Sequence, residues 1–482
     1  MASFRSDFVA GWLSGLWLVL VGGLPLTAQA ANWNLAPGLS IGQTYTDNAN
    51  LDASKRSESI TRISPHISLY REGARSKFDL TYAPQYRKYW QETNDNELVN
   101  FLRAEGDMEL YRSHFFLNGR ASVDQRNTSS RAREGIDSAT GIADQTTTYS
   151  AALSPYYKTR LGRSLLFEAR YDQDRVYYDT RNADSSTGRR LDLVLGSGEA
   201  VRVMPWEVRL EQSEISYDRV ADDDRIRRAV GQAAYQFDSH WALGLRLGYE
   251  KYELASSPDQ DGSVWGLGFI YTPNSRTRLA AGLGQRSFGD DYYLQFSHRS
   301  RHTVWNASYN QDFVSSRNES TRPTLFDRRD AFGNLIRDPA LSSPVNATRS
   351  GPTLNSEYYQ LNRFTTSFTL ATGRTDATLG ASYTEREYDR SSLTSDTEDV
   401  IVYSTLSRQL RPHTSAFLRV NWSDHNERLL DYEQWLASLG GSYQLGRYTS
   451  LVLTLAHLRR DANPDIDSYE ENRASLTLDR SW

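Results

Sequence analysis

Apolar and polar side chains alternate along most of this chain. Leu35, Pro37, Leu39, Ile41 and Tyr45 fall on one face of a first run, with polar or small residues between them. Ile63, Pro65, Ile67 and Leu69 repeat the pattern, turn at Glu72-Gly73-Ala74-Arg75, and are answered by Phe78, Leu80, Tyr82, Pro84 and Tyr86. Period two is the signature of a strand with one apolar and one wet face. The same grammar predicts hairpins turning at Tyr111 to His114, Leu161-Gly162, Pro273 to Ser275, Thr372-Gly373 and Gly446-Arg447. Pro37, Pro65, Pro84 and Pro155 sit on the apolar faces of these runs and read as bulges or strand ends, because proline cannot donate to a ladder.

Short tight turns alternate with longer polar connections. That asymmetry is expected of an outer-membrane barrel and is not required of a sandwich or propeller. The predicted fold is all-β, a single-chain antiparallel transmembrane barrel of about 22 strands, within a range of roughly 18 to 24. The last stretch, Ala474 to Trp482, places Ala474, Leu476, Leu478 and Trp482 on one face and ends on an aromatic residue. It looks like a barrel's closing strand, with Leu476, Leu478 and Trp482 as the signal read by barrel-assembly machinery. Arg480 departs from that pattern, where an apolar residue is usual.

Residues 1–30 read as a cleaved signal peptide: Arg5, the apolar run Leu13 to Leu26, then Ala28-Gln29-Ala30. Residues 31–482 are then one barrel, with no plug domain and no segment for an energy-transducing partner before the first strand. The mean hydropathy of -0.63 is very polar for a helical membrane protein, but a barrel needs only alternate residues to be apolar. The 29 Tyr and 11 Trp would supply interfacial girdles against outer-membrane lipids. The absence of cysteine fits an exported fold without disulfides. The formal charge of -5, unaltered by cleavage because Arg5 and Asp7 cancel, gives no sign of nucleic acid.

One connection stands apart. Residues 312–355 carry Pro323, Pro339, Pro344 and Pro352 without alternation, as a long extracellular loop that folds inward as a gate or splays outward. Opposite the apolar face lie Arg103, Glu105, Asp107 and Glu109, then Arg120 and Asp124, then Glu168, Arg170, Asp172 and Asp174. These are the candidate lumen-lining residues. Their mixed signs suit a hydrated channel for neutral or weakly charged solutes, or a bracing network of wall ion pairs. The histidines are scattered without a nucleophile motif, so the chain does not read as an enzyme, and no cofactor is implied. Asp461, Asn463, Asp465 and Asp467 have the spacing of a calcium loop. Ile466 replaces the turn glycine and Asn472 the bidentate glutamate, so no metal site is assigned.

The first hairpin carries a resemblance. L-S-I-G-Q-T-Y-T-D-N-A-N-L (Leu39 to Leu51), I-S-P-H-I-S-L (Ile63 to Leu69) and R-E-G-A-R (Arg71 to Arg75) resemble the start of outer-membrane barrels associated with PEP-CTERM/exosortase and exopolysaccharide systems. They are similar, more loosely, to type-two β-barrel porins. The resemblance implies a Gram-negative outer-membrane protein made alongside exopolysaccharide or exosortase-sorted proteins and does not identify a cargo; the reading it favours is a conduit or scaffold, with polysaccharide and periplasmic export proteins as partners. It transfers no site residues. The alternatives are a general or solute-specific porin and a closed structural or adhesive barrel.

Overall fold

Alternating side chains can bury one face of each strand only if the strands share a common interior, and here they close a ring around it. The computed structural model describes residues 33–320, 352–389 and 394–482; the signal peptide expected over 1–30 lies outside these. The strands are β1 (Trp33–Thr46), β2 (Glu58–Gly73), β3 (Ser76–Tyr89), β4 (Glu97–Tyr111), β5 (Phe115–Asn127) and β6 (Gln145–Leu161). They continue as β7 (Leu165–Tyr178), β8 (Ser186–Ser197), β9 (Trp206–Tyr217), β10 (Asp224–Gln236), β11 (Trp241–Glu253) and β12 (Gln260–Asn274). Then come β13 (Thr277–Arg286), β14 (Gly289–Arg299), β15 (Thr303–Ser315), β16 (Tyr358–Ala371) and β17 (Thr375–Tyr388). The last are β18 (Thr397–Arg411), β19 (Thr414–Glu427), β20 (Leu430–Gln444), β21 (Thr449–Asn463) and β22 (Tyr469–Ser481).

All belong to one 22-stranded antiparallel sheet in which each strand pairs with its sequence neighbours. β1 pairs with β22 from Gly38↔Ser481 to Thr46↔Arg473, so the sheet is a closed barrel without a free edge. Trp482 reinforces the seam, its N–H donating to Pro37 O at 2.9 Å.

The barrel is inverted relative to a soluble core. Leu243, Leu245, Leu247, Leu267, Leu283, Leu439, Leu453 and Leu455 are exposed on the outside. Charged and hydroxyl side chains face in. Trp241 and Tyr249 share the outer face of β11, and Trp435 and Tyr443 that of β20. At roughly 3.4 Å per residue and a tilt near 40°, each pair of rings stands about 20 Å apart along the barrel axis. No helix among the described residues is long and apolar enough to cross a membrane, which leaves crossing by strands untouched.

Two sequence expectations are refined. Pro65, Pro84 and Pro155 lie inside strands, not at their ends. The β2–β3 ladder skips from Ile63↔Tyr86 to Ile67↔Tyr82, and β6–β7 from Leu153↔Gln173 to Tyr156↔Arg170. The missing N–H is accommodated by that local break. Connection lengths alternate less regularly than expected: β8 and β9 are joined on the short-turn side by residues 198–205, while β13–β14 and β19–β20 are tight on the loop side.

Candidate functional site

The interior differs between its two ends. Toward the short turns, inward-facing Arg103, Glu105, Arg120 and Gln232 are exposed. Toward the long connections, inward-facing side chains are buried, because two chain segments fold into the barrel and occupy it.

The first is residues 128–144, between β5 and β6. From there it reaches β19, β22, β2 and β3. Asp137 accepts from Arg62 Nη1 of β2 at 2.7 Å and from Arg473 of β22. Arg87 of β3 donates to Ser138 O at 2.6 Å and Ser138 Oγ at 2.7 Å. Tyr89 OH donates to Ala139 O at 3.1 Å. Glu471 of β22 accepts from Thr46 Oγ1 at 2.8 Å and from Ile136 N at 3.4 Å. Arg460 of β21 stacks over Tyr432 at 3.5 Å and donates to Ala132 O at 3.1 Å. Gly141 adopts φ +65 and its N–H donates to Ala49 O at 3.1 Å. A side chain there would be strained by the backbone and would strike Leu51.

The electrostatics of this segment are uneven. Burial pushes the Asp137 carboxyl up, but the guanidiniums of Arg473, Arg62 and Arg87 outweigh it and hold the group well below the usual carboxylate range. Glu134 goes the other way. Burial pushes it up to about 7, against the pull of Arg460 and the hydrogen bond from Asn127.

The second segment is the start and end of the long connection. A short helix, α1 (Ser316–Ser320), follows β15 directly. Arg317 leaves it toward the far wall, bonding Asp174 of β7 and, at 2.8 Å, Ser186 Oγ of β8. Glu319 takes Arg363 Nη2 of β16 at 2.5 Å, Arg386 Nη2 of β17 at 2.9 Å and Tyr359 OH at 2.6 Å. On the return, Leu354 N donates to Thr128 O at 3.2 Å, and its side chain packs with Val176, Tyr178 and Ala183. The described ends of the 312–355 connection therefore fold inward; residues 321–351 lie outside the described ones.

A chain of ion pairs, buried from Arg386 to Glu427 and exposed at Arg131, joins the two segments through the wall. Arg386 Nη1 donates to Asp399 Oδ2 of β18 at 2.5 Å. Asp399 Oδ1 lies 2.7 Å from His425 Nδ1 of β19, and His425 Nε2 lies 3.6 Å from Glu427. Glu427 in turn accepts from Arg131 Nη2 at 2.6 Å and Ser130 Oγ at 2.8 Å, both on the first segment. Ions carried into the interior are stable only when every charge finds partners, and this chain gives each one. It is a polar lock at one end of the barrel.

The sequence-predicted wall residues stand apart from that lock, on the sheet face opposite the apolar one, and bond mainly to near neighbours. Arg103 and Glu105 are exposed, and Glu105 is in register with Arg120. Asp107 accepts from Tyr156 OH at 3.2 Å and Glu109 from Ser113 N at 2.7 Å. Asp124 pairs with Arg126 at 3.1 Å, Glu168 with Arg170 at 3.4 Å and Asp172 with Arg190 at 3.0 Å. They do not converge on one site. Asp174, next along β7, is the one that reaches the lock. Leu476 and Leu478 are exposed on the outer face of β22, Trp482 is exposed just past its end, and Arg480 stacks over Trp482 at 5.2 Å. In the loop weighed for calcium, Asp461 pairs with Arg459 at 2.8 Å and Asp467 lies 3.6 Å from Arg133.

Sequence reasoning missed the 128–144 segment and its receptors Arg386, Asp399, His425 and Glu427. The run R-A-R-E-G-I-D between β5 and β6 was the available signal, since a solvated loop has no need of such closely mixed charge.

No family model matches the chain, and no curated protein matches it. Solved structures do match. The ferric enterobactin receptor mutant from Pseudomonas aeruginosa in complex with enterobactin aligns at TM-score 0.52 and 11% identity, covering 94% of this chain and 82% of that one. The FrpB iron transporter from Neisseria meningitidis aligns at 0.51 and 10%, covering 95% and 83%. The siderophore receptor PirA from Acinetobacter baumannii aligns at 0.51 and 9%, covering 94% and 81%. At such identities the likeness is one of fold: this chain is a large closed barrel of the same architecture.

Proposed function

We propose that this protein is an outer-membrane conduit, closed at its loop end by the two inward segments, that serves secretion of exopolysaccharide or another envelope polymer. One observation carries the conduit reading: the obstruction is held largely by ion pairs and hydrogen bonds, not by a broad apolar core. Segments held this way can leave the wall for water without exposing a large apolar surface. The outer apolar band between two levels of aromatic rings supports a place in a bilayer. The similar solved barrels named above support a transport-related fold. The resemblance of the first hairpin to exosortase-associated barrels supplies the neighbourhood, an envelope polymer made alongside, from which the polymer cargo is proposed.

In this reading Arg103, Glu105, Asp107, Glu109, Arg120, Asp124, Glu168, Arg170 and Asp172 form part of a hydrated wall. Leu476, Leu478 and Trp482 engage the assembly machinery after export of the chain. A second reading, selective uptake of small polar solutes, draws on the same inward segments, because a narrowed lumen sorts solutes by size. Deleting the gene in its native host and comparing surface with periplasmic polysaccharide tests the cargo. Retention inside with loss outside is expected; unchanged polymer on both sides refutes the export role and favours the uptake reading.

A further inference from the structure

The outer rim of the barrel, where the strands leave the apolar band toward the long connections, carries charge unevenly. On β8, β10 and β11 the exposed outward residues Leu191, Ala229 and Tyr249 are followed, one outward position further on, by Arg189, Arg227 and Lys251. That step is roughly 5 Å along the barrel axis. One cross-strand row there reads Leu191, Gln212, Arg227 and Lys251, and the next reads Arg189, Glu214, Arg225 and Glu253. Arg189, Arg225 and Arg227 are exposed and Lys251 is partly exposed. Farther round the ring the rim is acidic: outward Glu385 of β17 is in register with Glu398 of β18, and Asp424 of β19 with Glu433 of β20.

The cations of these two rows outnumber their carboxylates. Arg227 and Lys251 face each other directly, and like charges opposite one another on a sheet are destabilising. Both turn to one carboxylate: Glu253 lies 2.7 Å from Lys251 and 3.9 Å from Arg227. Glu214 stands in register between Arg189 and Arg225 and lies 3.6 Å from the second. Toward β7, Arg175 holds Asp218 at 2.6 Å. Beside that pair Tyr177, Arg181 and Arg219 line an open depression of about 440 Å³.

Exposed ion pairs of this kind are weak and exchange readily for a better anion. A phosphate is such an anion, since it offers arginine several charge-assisted acceptors at once. In a bilayer the charge just beyond the apolar band is that of the lipid headgroups, and clustered Lys and Arg at that level attract anionic lipid. Two strand spacings and one two-residue step separate Arg189 from Arg227, roughly 12 Å, a distance that two phosphates on one headgroup can span. We propose that the outward rim of β8 to β11, centred on Arg189 and Arg227, binds the headgroup of a bis-phosphorylated lipid in the outer leaflet. This needs the barrel to lie in the outer membrane and is independent of what the lumen carries.

The test uses the full-length barrel in detergent micelles and native mass spectrometry, titrating diphosphoryl lipid A, its monophosphoryl form and phosphatidylcholine. The diphosphoryl lipid is retained at the lowest concentration and phosphatidylcholine least. Arg189→Gln and Arg227→Gln each lower the diphosphoryl affinity by about three- to fivefold, and together by about tenfold or more. Glu385→Gln, on the acidic side, does not lower it. Equal retention of the three lipids overturns the proposal, as does a double variant that binds like wild type. Displacement of the lipid by millimolar inorganic phosphate also overturns it, by assigning the cations to a free anion. A shift from dimer to monomer in the double variant, with lipid affinity unchanged, makes the rim a contact between copies and ends the proposal. If the double variant does not fold, the single variants and the lipid ranking decide. Ion conductance separates this idea from the conduit: a lipid-retaining barrel that never conducts ends the conduit alone, and a conducting barrel without lipid preference ends the rim site alone.

Discussion

Arg131 and Glu427 are separated by 296 positions in the chain yet lie 2.6 Å apart, guanidinium to carboxylate, inside the barrel. The contact carries residues 128–144, which leave the wall between β5 and β6, to β19. Because Glu427 also faces His425, the same carboxylate ends the network that starts at Arg363 and Glu319. The connection predicts that release of one inward segment is coupled to the seating of the other.

A double-mutant cycle measures that coupling. Arg131→Ala and Glu319→Gln should each raise amide exchange in 128–144, and the pair should raise it by less than the product of the single effects. Interacting residues in one network show coupling of about 0.5–3 kcal/mol. Additive effects would mean that the two segments dock independently.

Asp137→Asn should be the most damaging single change to the first segment. It leaves Arg62 and Arg473 facing an amide in place of a carboxylate, and because Asp137 is half-buried the cost falls below the roughly 3–5 kcal/mol of breaking a fully buried pair. Protease nicking within 128–144 in the folded barrel should rise sharply, with the sheet itself intact. Resistance equal to wild type would show that the segment is held by other contacts.

Docking of 128–144 should depend on pH with a defined sign. Glu134 has a docked-state pKa of about 7, above its ordinary value, so its contribution is complete below about 4.5 and is lost as pH rises toward 7. Asp137 is held well below its ordinary value, so its contribution is present above the normal carboxylate range and is lost only in stronger acid. Exchange in 128–144 should therefore increase between pH 5 and pH 8, after correction for intrinsic exchange rates. Glu134→Gln should flatten the slope. A slope of opposite sign would remove Glu134 as its source.

Inside and outside should respond oppositely to charge. Leu245→Arg on the outer face of β11 should lower stability in liposomes by about 2–4 kcal/mol near the midplane. Gln232→Arg, facing inward on β10 and exposed there, should change it little. Urea titration of the reconstituted protein reads both. Equal costs would contradict the assignment of faces.

The strands were legible because period two is written in covalent order: Leu243, Leu245 and Leu247 declare a face without reference to any other part of the chain. Closure followed from the even, repeated hairpins and from the terminal run ending at Trp482. The lock was not legible, for a physical reason. Arg386, Asp399 and His425 look like any inward-facing residues near strand ends, and their roles depend on distant loop residues: Arg386 meets Glu319 across 67 positions, and Glu427 beside His425 meets Arg131 across 296. Loop composition showed that 312–355 was unusual, but that its described ends turn inward depends on Arg317 meeting Asp174 and on Glu319 meeting Arg363 and Arg386. Long-range pairing of this kind leaves no periodic trace.

The most direct measurement is single-channel conductance in planar bilayers, comparing the full chain with a variant in which residues 129–142 are replaced by a short Gly-Ser linker. The account predicts low or intermittent conductance for the intact protein and larger, steadier steps for the variant, at equal insertion and equal heat-modified mobility on gels. Equal conductance in the two proteins would show that the segment does not close the lumen. Silence in both would replace the conduit with a sealed structural barrel.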